Sequence, residues 1–313
     1  MTAVLDVTVV ICTYTTDRWH LLGEAVASVR AQTPAPAEIL VVVDHDDATL
    51  RRACTLEGVR AVASTGPRGL SGARNTGVAE AATSLVAFLD DDAVAAPGWL
   101  AALCAPLLDG SADVVGGAVE ADWALGRPAW FAPEYDWVVG CTYVGWPTEV
   151  TEIRNPIGCS MAFTREALVA AGPFRTGIGR TPTDPSGCEE TELCIRLRQR
   201  WPAVRILSAP SARASQLVPG DRTTLRYFVR RCTAEGRSKA RVAGAVGRAD
   251  ALASESDYVS VTLPRGIGRE LREAFATRRI SPLARATTMV LGVAVAAIGF
   301  VAERAAVRRE HVR

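Results

Sequence analysis

The sequence predicts an α/β fold built on a mostly parallel central sheet with helices on both faces, followed by a separate helical tail. Three observations predict it. Short β-branched apolar runs alternate with helix-patterned segments from the start of the chain. Two of those runs end in acidic clusters, at residues 44–47 and 90–92. The charge balance then reverses: residues 1–215 hold 17 basic and 25 acidic side chains, and the remainder holds 18 and 9. We therefore expect a sheet domain over residues 1–215 and a basic helical tail over 216–313.

Residues 7–13 are a buried strand, rich in Val and Ile. Leu21, Leu22, Ala25, Val26 and Val29 give residues 18–30 helical spacing. A second buried strand covers 38–43, a helix follows, and a third strand covers 59–63. Residues 66–69 form a loop, 71–82 a helix of small residues, and 84–89 a fourth strand. Another helix follows Pro97-Gly98-Trp99, then strands are expected at 114–119, 157–163 and 204–207. Helices are expected at 164–171 and 189–200, with a Gly/Pro-rich loop at 174–187 between them. In an alternating fold of this type ligands sit at the carboxyl ends of the strands. Topology alone therefore brings the two acidic clusters to one edge.

The tail opens with an Arg-dense helix at 223–244, which includes Arg230, Arg231, Arg237 and Lys239, the single lysine of the chain. Residues 265–279 are weakly amphipathic, with Ile267, Leu271, Ala274 and Phe275 on one face. The apolar segment 286–302 then runs 17 residues without a charge, at the short end of what crosses a bilayer. Basic flanks make a membrane-embedded or membrane-surface segment the expectation. The competing reading is a buried Ala-rich helix. The eight Cys include no CxxC pair and no Cys/His cluster with metal-ligand spacing, which excludes a structural zinc site as an expectation. With no secretory pattern in the opening residues, the sheet domain is expected in the cytoplasm.

Phe88-Leu89-Asp90-Asp91-Asp92 carries the strongest chemical signal. Three adjacent carboxylates at the end of a buried strand repel one another, and a divalent cation compensates them. Mg2+ and Mn2+ take carboxylate oxygens and leave positions for phosphate oxygens. A solvated acidic turn is the bland alternative. Asp44 suits a ribose or base contact, or equally a helix cap. Gly69–Gly77 puts small residues and Arg74 at a helix start, a place that favours phosphate. Tight helix–sheet packing explains the same glycines. Glu189-Glu190 opens a helix, where acidic residues also simply suit the dipole. The stretch 123–146 holds four of the seven Trp with Phe131, Tyr135 and Tyr143, and fits an acceptor site or a core equally well.

Taken in order, these pieces resemble the family 2 inverting glycosyltransferases of the GT-A fold. The resemblance rests on Val9–Tyr14, Asp44, Gly72–Gly77, Phe88–Asp92 with Pro97-Gly98-Trp99, Gly158–Met161 and Cys188–Leu193, and covers roughly residues 6–208. It implies that Thr13, Tyr14 and Asp44 contact the nucleoside and that Arg74 helps hold base or phosphate. Asp90 and Asp92 match the ends of the family's D-x-D metal motif, with Asp91 between them counted among the donor-binding residues. Gly158, Ser160 and Met161 would line the donor sugar. Glu190 stands where the family has its catalytic Asp, one methylene longer, so Glu189 remains a second candidate.

The implied cofactors are Mg2+ or Mn2+ and a nucleotide-sugar donor, a UDP-sugar first and a GDP-sugar second. The family's processive Gln-x-x-Arg-Trp signature is absent, which implies transfer of a single sugar. The expected partners are a carbohydrate or lipid-linked acceptor and, through the tail, the cytoplasmic face of the plasma membrane. No nucleic acid is expected, because the basic tail carries no recognised nucleic-acid module. The alternatives are a degenerate nucleotide-binding scaffold and a sugar nucleotidyltransferase. The latter wants a glycine-bearing loop after the first strand, where this chain has Thr13–Arg18.

Overall fold

The computed structural model describes residues 4–180, 186–247 and 257–311. By internal contacts the chain divides into two units. The first comprises Met1–Glu120, Pro147–Pro182 and Glu189–Gln216. The second comprises Ala121–Trp146, Leu217–Arg313 and the short segment ending at Cys188. The aromatic stretch that the sequence reading kept inside the sheet domain thus groups with the tail.

The first unit is a mixed α/β sheet with strand order β3-β2-β1-β4-β7-β6-β8-β5. Its parallel half contains β1 (Val4–Thr13), β2 (Ala35–Val43), β3 (Arg60–Ala63) and β4 (Leu85–Asp90). These strands are apolar on both faces because helices cover both: Val7, Val9, Val10 and Ile11 of β1 are all buried. The helices α1 (Trp19–Arg30), α2 (Asp47–Ala53) and α3 (Leu70–Glu80) are the connections. Asp46 caps α2, accepting a hydrogen bond from the Thr49 amide at 2.6 Å. Gly77 lets α3 lie close to the sheet, since a Cβ there would fall 2.5 Å from Val10 Cγ1.

The remaining strands are β5 (Ala93–Ala95), β6 (Val114–Trp123), β7 (Ser160–Thr164) and β8 (Ile206–Val218). β7 runs antiparallel to both β4 and β6, and β5 antiparallel to β8. Helices α4 (Trp99–Leu108), α5 (Arg165–Ala171) and α6 (Glu189–Arg200) belong to this half. Two departures from the sequence reading have a common cause. β5 is three residues long, too short for a periodic signal. β8 extends the expected 204–207 strand to Val218 because its inward positions are small, Ala209, Ala212 and Ala214, so alternation is present with little hydrophobicity. The part of the 174–187 loop from 181 to 185 lies outside the described residues.

In the second unit the aromatic stretch is a core. Phe131 lies 5.0 Å from Trp123 and 5.7 Å from Phe228, and Tyr135 lies 5.1 Å from Phe228, measured between ring centroids. The tail helices are α7 (Leu225–Val246), α8 (Leu263–Thr277) and α9 (Ile280–His311). Glycines let α7 and α9 approach backbone to backbone: Gly236 faces the Ala296 carbonyl and Gly299 the Thr233 carbonyl, with no room for a Cβ at either. Tyr135 Oη donates to the Met289 carbonyl at 2.9 Å and Thr288 Oγ1 to the Trp130 carbonyl at 2.8 Å, which pin α9 along one side. The segment 286–302 therefore has a packed inner face. Residues Ile280–Ala306 nonetheless form a helix long and apolar enough to cross a membrane by length and composition.

Candidate active site

The carboxyl ends of β1, β2 and β4, the approach to β7 and the start of α6 supply the candidate residues. β4 ends on Asp90, and the three carboxylates that follow its apolar run meet different partners. Asp91 is buried and fully engaged: Thr13 Oγ1 donates to Oδ2 at 2.7 Å and Arg18 Nη1 to Oδ1 at 3.2 Å. Asp92 is buried too, with Gln216 Nε2 donating to Oδ1 at 3.2 Å and Arg18 Nη1 3.4 Å from Oδ2. Asp90 is the most open, its side chain 26% exposed.

Burial and mutual repulsion act on this cluster together. Burial raises the Asp90 carboxyl, the neighbouring Asp92 raises it further, and Arg74 only partly opposes them. Asp91 is pushed up to about 6 by burial and Asp92, against the pull of Arg18 and of the Thr13 hydroxyl. Among the described residues no group of three or more His, Cys, Asp or Glu can hold a metal by itself. Asp90 and Asp92 fit a Mg2+ or Mn2+ ion of another kind: one held by one or two carboxylates, with phosphate oxygens and water completing the shell. A cation there would offset the repulsion from Asp92 that adds to burial in raising Asp90.

Arg74 is the hub of the site. It projects from α3 and is 2% exposed. Its Nη1 donates to Glu189 Oε1 at 2.7 Å, and its Nη2 donates to the Gly158 carbonyl at 2.8 Å and to Asp90 Oδ1 at 3.4 Å. Phe88 and Phe174 flank the guanidinium, at 5.8 and 5.7 Å from its centre. Burial alone would lower its pKa, but Glu189 and Asp90 more than offset that and keep it charged. The sequence assigned Arg74 to base or phosphate. The structure directs its donors at protein acceptors from β4, α6 and the loop before β7.

Glu189 and Glu190 open α6 and differ in surroundings. Glu189 is buried against Arg74, and its second oxygen, Oε2, has no hydrogen-bond partner among the described residues. Glu190 is half-buried. Asp44 is buried at the end of β2. Its Oδ2 accepts from the Gly69 amide at the head of α3, 2.8 Å, and its Oδ1 lies 2.7 Å from His45 Nδ1. Tyr14 is 40% exposed, with the Arg18 guanidinium 5.3 Å from its ring centroid. Ser160 and Met161 face packing: Ser160 is buried and accepts from Trp99 Nε1 at 2.9 Å, and Met161 is buried in the sheet beside Phe88. Gly158 contributes its carbonyl to Arg74. A Cβ there would fall 2.9 Å from Arg74 Nη2, so the approach needs glycine.

Sequence reasoning missed Arg18 and Gln216. Arg18 closes the segment 13–18, of which the resemblance singles out only Thr13 and Tyr14, and it salt-bridges two of the three aspartates. Gln216 lies in the low-hydrophobicity stretch of β8, where no signal marks it.

A parallel half-sheet with carboxylates at its strand ends, joined to an antiparallel half, is the arrangement of a GT-A fold. The family described as Glycosyl transferase family 2 matches residues 8–170, and the chain belongs to it. It is a transferase that moves a sugar from a nucleotide-sugar. It is 31% identical over 240 residues to a glucosyl-dolichyl phosphate glucuronosyltransferase of Haloferax volcanii, covering 75% of this chain and 76% of that protein. It is 25% identical over 248 residues to the succinoglycan biosynthesis protein ExoM of Rhizobium meliloti, covering 76% of this chain and 75% of that protein.

Among solved structures, the mannosyltransferase PcManGT of Pyrobaculum calidifontis, in complex with GDP-Man and Mn2+, matches 95% of this chain and 87% of its own. Its TM-score is 0.60 at 17% identity. GalNAc-T7 with UDP, GalNAc and Mn2+ matches 68% of this chain, with a TM-score of 0.52 at 20% identity, but this chain covers only 43% of that one. These two likenesses establish the fold.

Proposed function

We propose that this chain is an inverting, metal-dependent transferase that adds a single sugar to a hydroxyl of a lipid-linked saccharide. The observation that carries the proposal is the arginine bridge: Arg74 ties Asp90, at the end of β4, to Glu189, at the start of α6. A leaving-group site and a base site are thereby held on one side chain. A Mg2+ or Mn2+ ion on Asp90 and Asp92 would supply charge neutralisation for the departing nucleoside diphosphate.

The protein's own residues do the rest. Tyr14 offers an exposed ring for the base, and Asp44 a carboxylate at a strand end for the ribose. Glu189 has one oxygen taken up by Arg74, and its Oε2, without a hydrogen-bond partner among the described residues, suits acceptance of a sugar hydroxyl. Glu190 then takes the proton of the acceptor hydroxyl. The acceptor oxygen bonds to the anomeric carbon as the bond from that carbon to the diphosphate oxygen breaks. One displacement from the opposite face inverts the configuration.

The Haloferax relative transfers a glucuronosyl group to a glucosyl-dolichyl phosphate, which supports a uronic-acid donor and a polyprenyl-phosphate-linked acceptor. UDP-glucuronic acid is therefore the donor to test first. A thermal-shift panel of UDP, GDP, CMP and dTDP, each with and without Mn2+, tests the metal site. A ligand at 100 times its dissociation constant should stabilise the protein by ~2.7 kcal/mol. We expect a Mn2+-dependent shift with UDP that Asp92→Asn abolishes. An equal shift in that variant would remove Asp92 from the metal.

The tail is proposed to hold the enzyme at the cytoplasmic face of a membrane. The support is an uncharged outer stripe on α9: Ile280, Leu283, Thr287, Val290, Ala294, Ile298 and Val301 are exposed at helical spacing, opposite the face pinned to α7. Phe275 of α8 is 91% exposed as well, and Arg272, Arg278 and Arg279, near it in the chain, are exposed. An in-plane helix with basic flanks suits an anionic lipid surface. Burying one Phe side chain is worth about 1.5–3 kcal/mol. Phe275→Glu should therefore weaken co-sedimentation with phosphatidylglycerol vesicles by about tenfold or more. Undiminished binding would place the contact elsewhere.

A further inference from the structure

We propose that Glu235, together with Ser238, is a positioning residue for catalysis: from α7 it clamps the peptide segment that leads into the catalytic helix. The proposal rests on the reading that the Glu189-Glu190 pair carries the base. Its ground is a buried polar stripe on α7 that nothing in the reaction itself uses.

Arg231, Glu235, Ser238 and Lys239 recur at helical spacing on one face of α7 and are turned inward. Arg231 and Lys239, basic members of that Arg-dense helix, are thus largely shielded from solvent, with side chains 8% and 13% exposed. Arg231 Nη1 donates to Glu235 Oε2 at 3.0 Å, and Lys239 Nζ lies 3.5 Å from Oε1. Burial alone would raise the pKa of Glu235. Lys239, Arg231 and the hydrogen bonds from Cys188 and Arg231 overcome this and hold it near 2, so it stays an anion and an acceptor.

What this stripe receives is the residue pair directly before Glu189. Cys188 Sγ donates to Glu235 Oε1 at 3.1 Å, and the Gly187 amide donates to Ser238 Oγ at 3.2 Å. Gly187 lies flat on Arg231, where a Cβ would come within 3.0 Å of Nη2. Cys188 itself sits at φ +77°, in the left-handed region that a residue with a side chain adopts at a cost. A strained residue persists where its surroundings fix it, and those surroundings include the two hydrogen bonds to α7. Cys188 is peptide-bonded to Glu189, the first residue of α6. A base must stand within hydrogen-bond reach of the proton it takes, and loss of that placement lowers turnover rather than donor binding.

The test uses the full chain with UDP-glucuronic acid and a detergent-solubilised glucosyl polyprenyl phosphate, reading UDP release. Cys188→Ala removes the thiol donor without adding or burying a charge. It should lower kcat at least tenfold with the donor KM within about twofold of wild type. Cys188→Ser, whose hydroxyl can still donate to Glu235, should retain most of the activity. Ser238→Ala should lower kcat severalfold and decides the matter if Cys188→Ala does not fold. Full kcat in Cys188→Ala, equal losses in the Ala and Ser variants, or a change confined to KM would each overturn the clamp and leave the base reading standing. Glu189→Gln and Glu190→Gln run in the same assay judge that reading separately. Full activity in both would remove it, and the clamp with it.

Discussion

Glu190→Gln should lower turnover by about 10²–10⁴-fold, the usual contribution of a general base, while nucleotide binding survives. The amide keeps the shape of the carboxylate and cannot take a proton. The expectation distinguishes Glu190 from its neighbour, because the two differ in what surrounds them. Glu189 lies 2.7 Å from a buried guanidinium, which occupies one of its oxygens and ties it to Asp90. Glu190 is half-buried one residue further along α6. Measurement of kcat with a UDP thermal shift on the same protein checks both halves. Turnover within tenfold of wild type would move the base to Glu189 or to a water. Loss of the UDP shift would mean that the substitution had damaged the donor site.

The parallel half of the sheet was legible because its strands are buried on both faces and so appear as unbroken β-branched runs. The acidic clusters were legible as a site because such runs end at one edge, and the structure does set Asp44 and Asp90–Asp92 at strand ends. Contacts between elements distant in the chain could not be seen. The pairing of Arg74 with Glu189 spans 115 residues, and that of Asp92 with Gln216 spans 124. An arginine at a helix start in a glycine-rich stretch suggests phosphate when the acceptors that bury it are unknown. The Trp-rich stretch was ambiguous for a related reason: aromatic residues serve cores and sugar sites alike, and the Phe228 and Tyr258 rings that complete the core lie far along the chain. In the tail, composition marked Arg231 and Lys239 only as members of an Arg-dense helix. Glu235, with which both pair, lies four residues from each, a spacing that a closer count of the helix face would have found.

Arg74→Met should destabilise the fold by about 3–5 kcal/mol, because it leaves a buried carboxylate without its cation. Glu189 is 4% exposed and has no partner on Oε2 among the described residues, and Asp90 loses the positive charge that partly opposes burial and Asp92. The Gly158 carbonyl also loses its donor. Arg74→Lys should fall between, since a single ammonium cannot span three acceptors as a planar fork does. Urea denaturation at neutral pH measures all of these. The decisive comparison is Arg74→Met combined with Glu189→Gln. Once the uncompensated anion is gone, much of the lost stability should return, because a buried ion pair adds little net stability over a neutral replacement while half of one costs a great deal. Activity should not return with it, because neither Glu189 nor Asp90 is any longer held in place. A double variant no more stable than Arg74→Met would show that the guanidinium stabilises the fold through its packing against Phe88 and Phe174. A double variant that regained both stability and turnover would deny the bridge any part in catalysis.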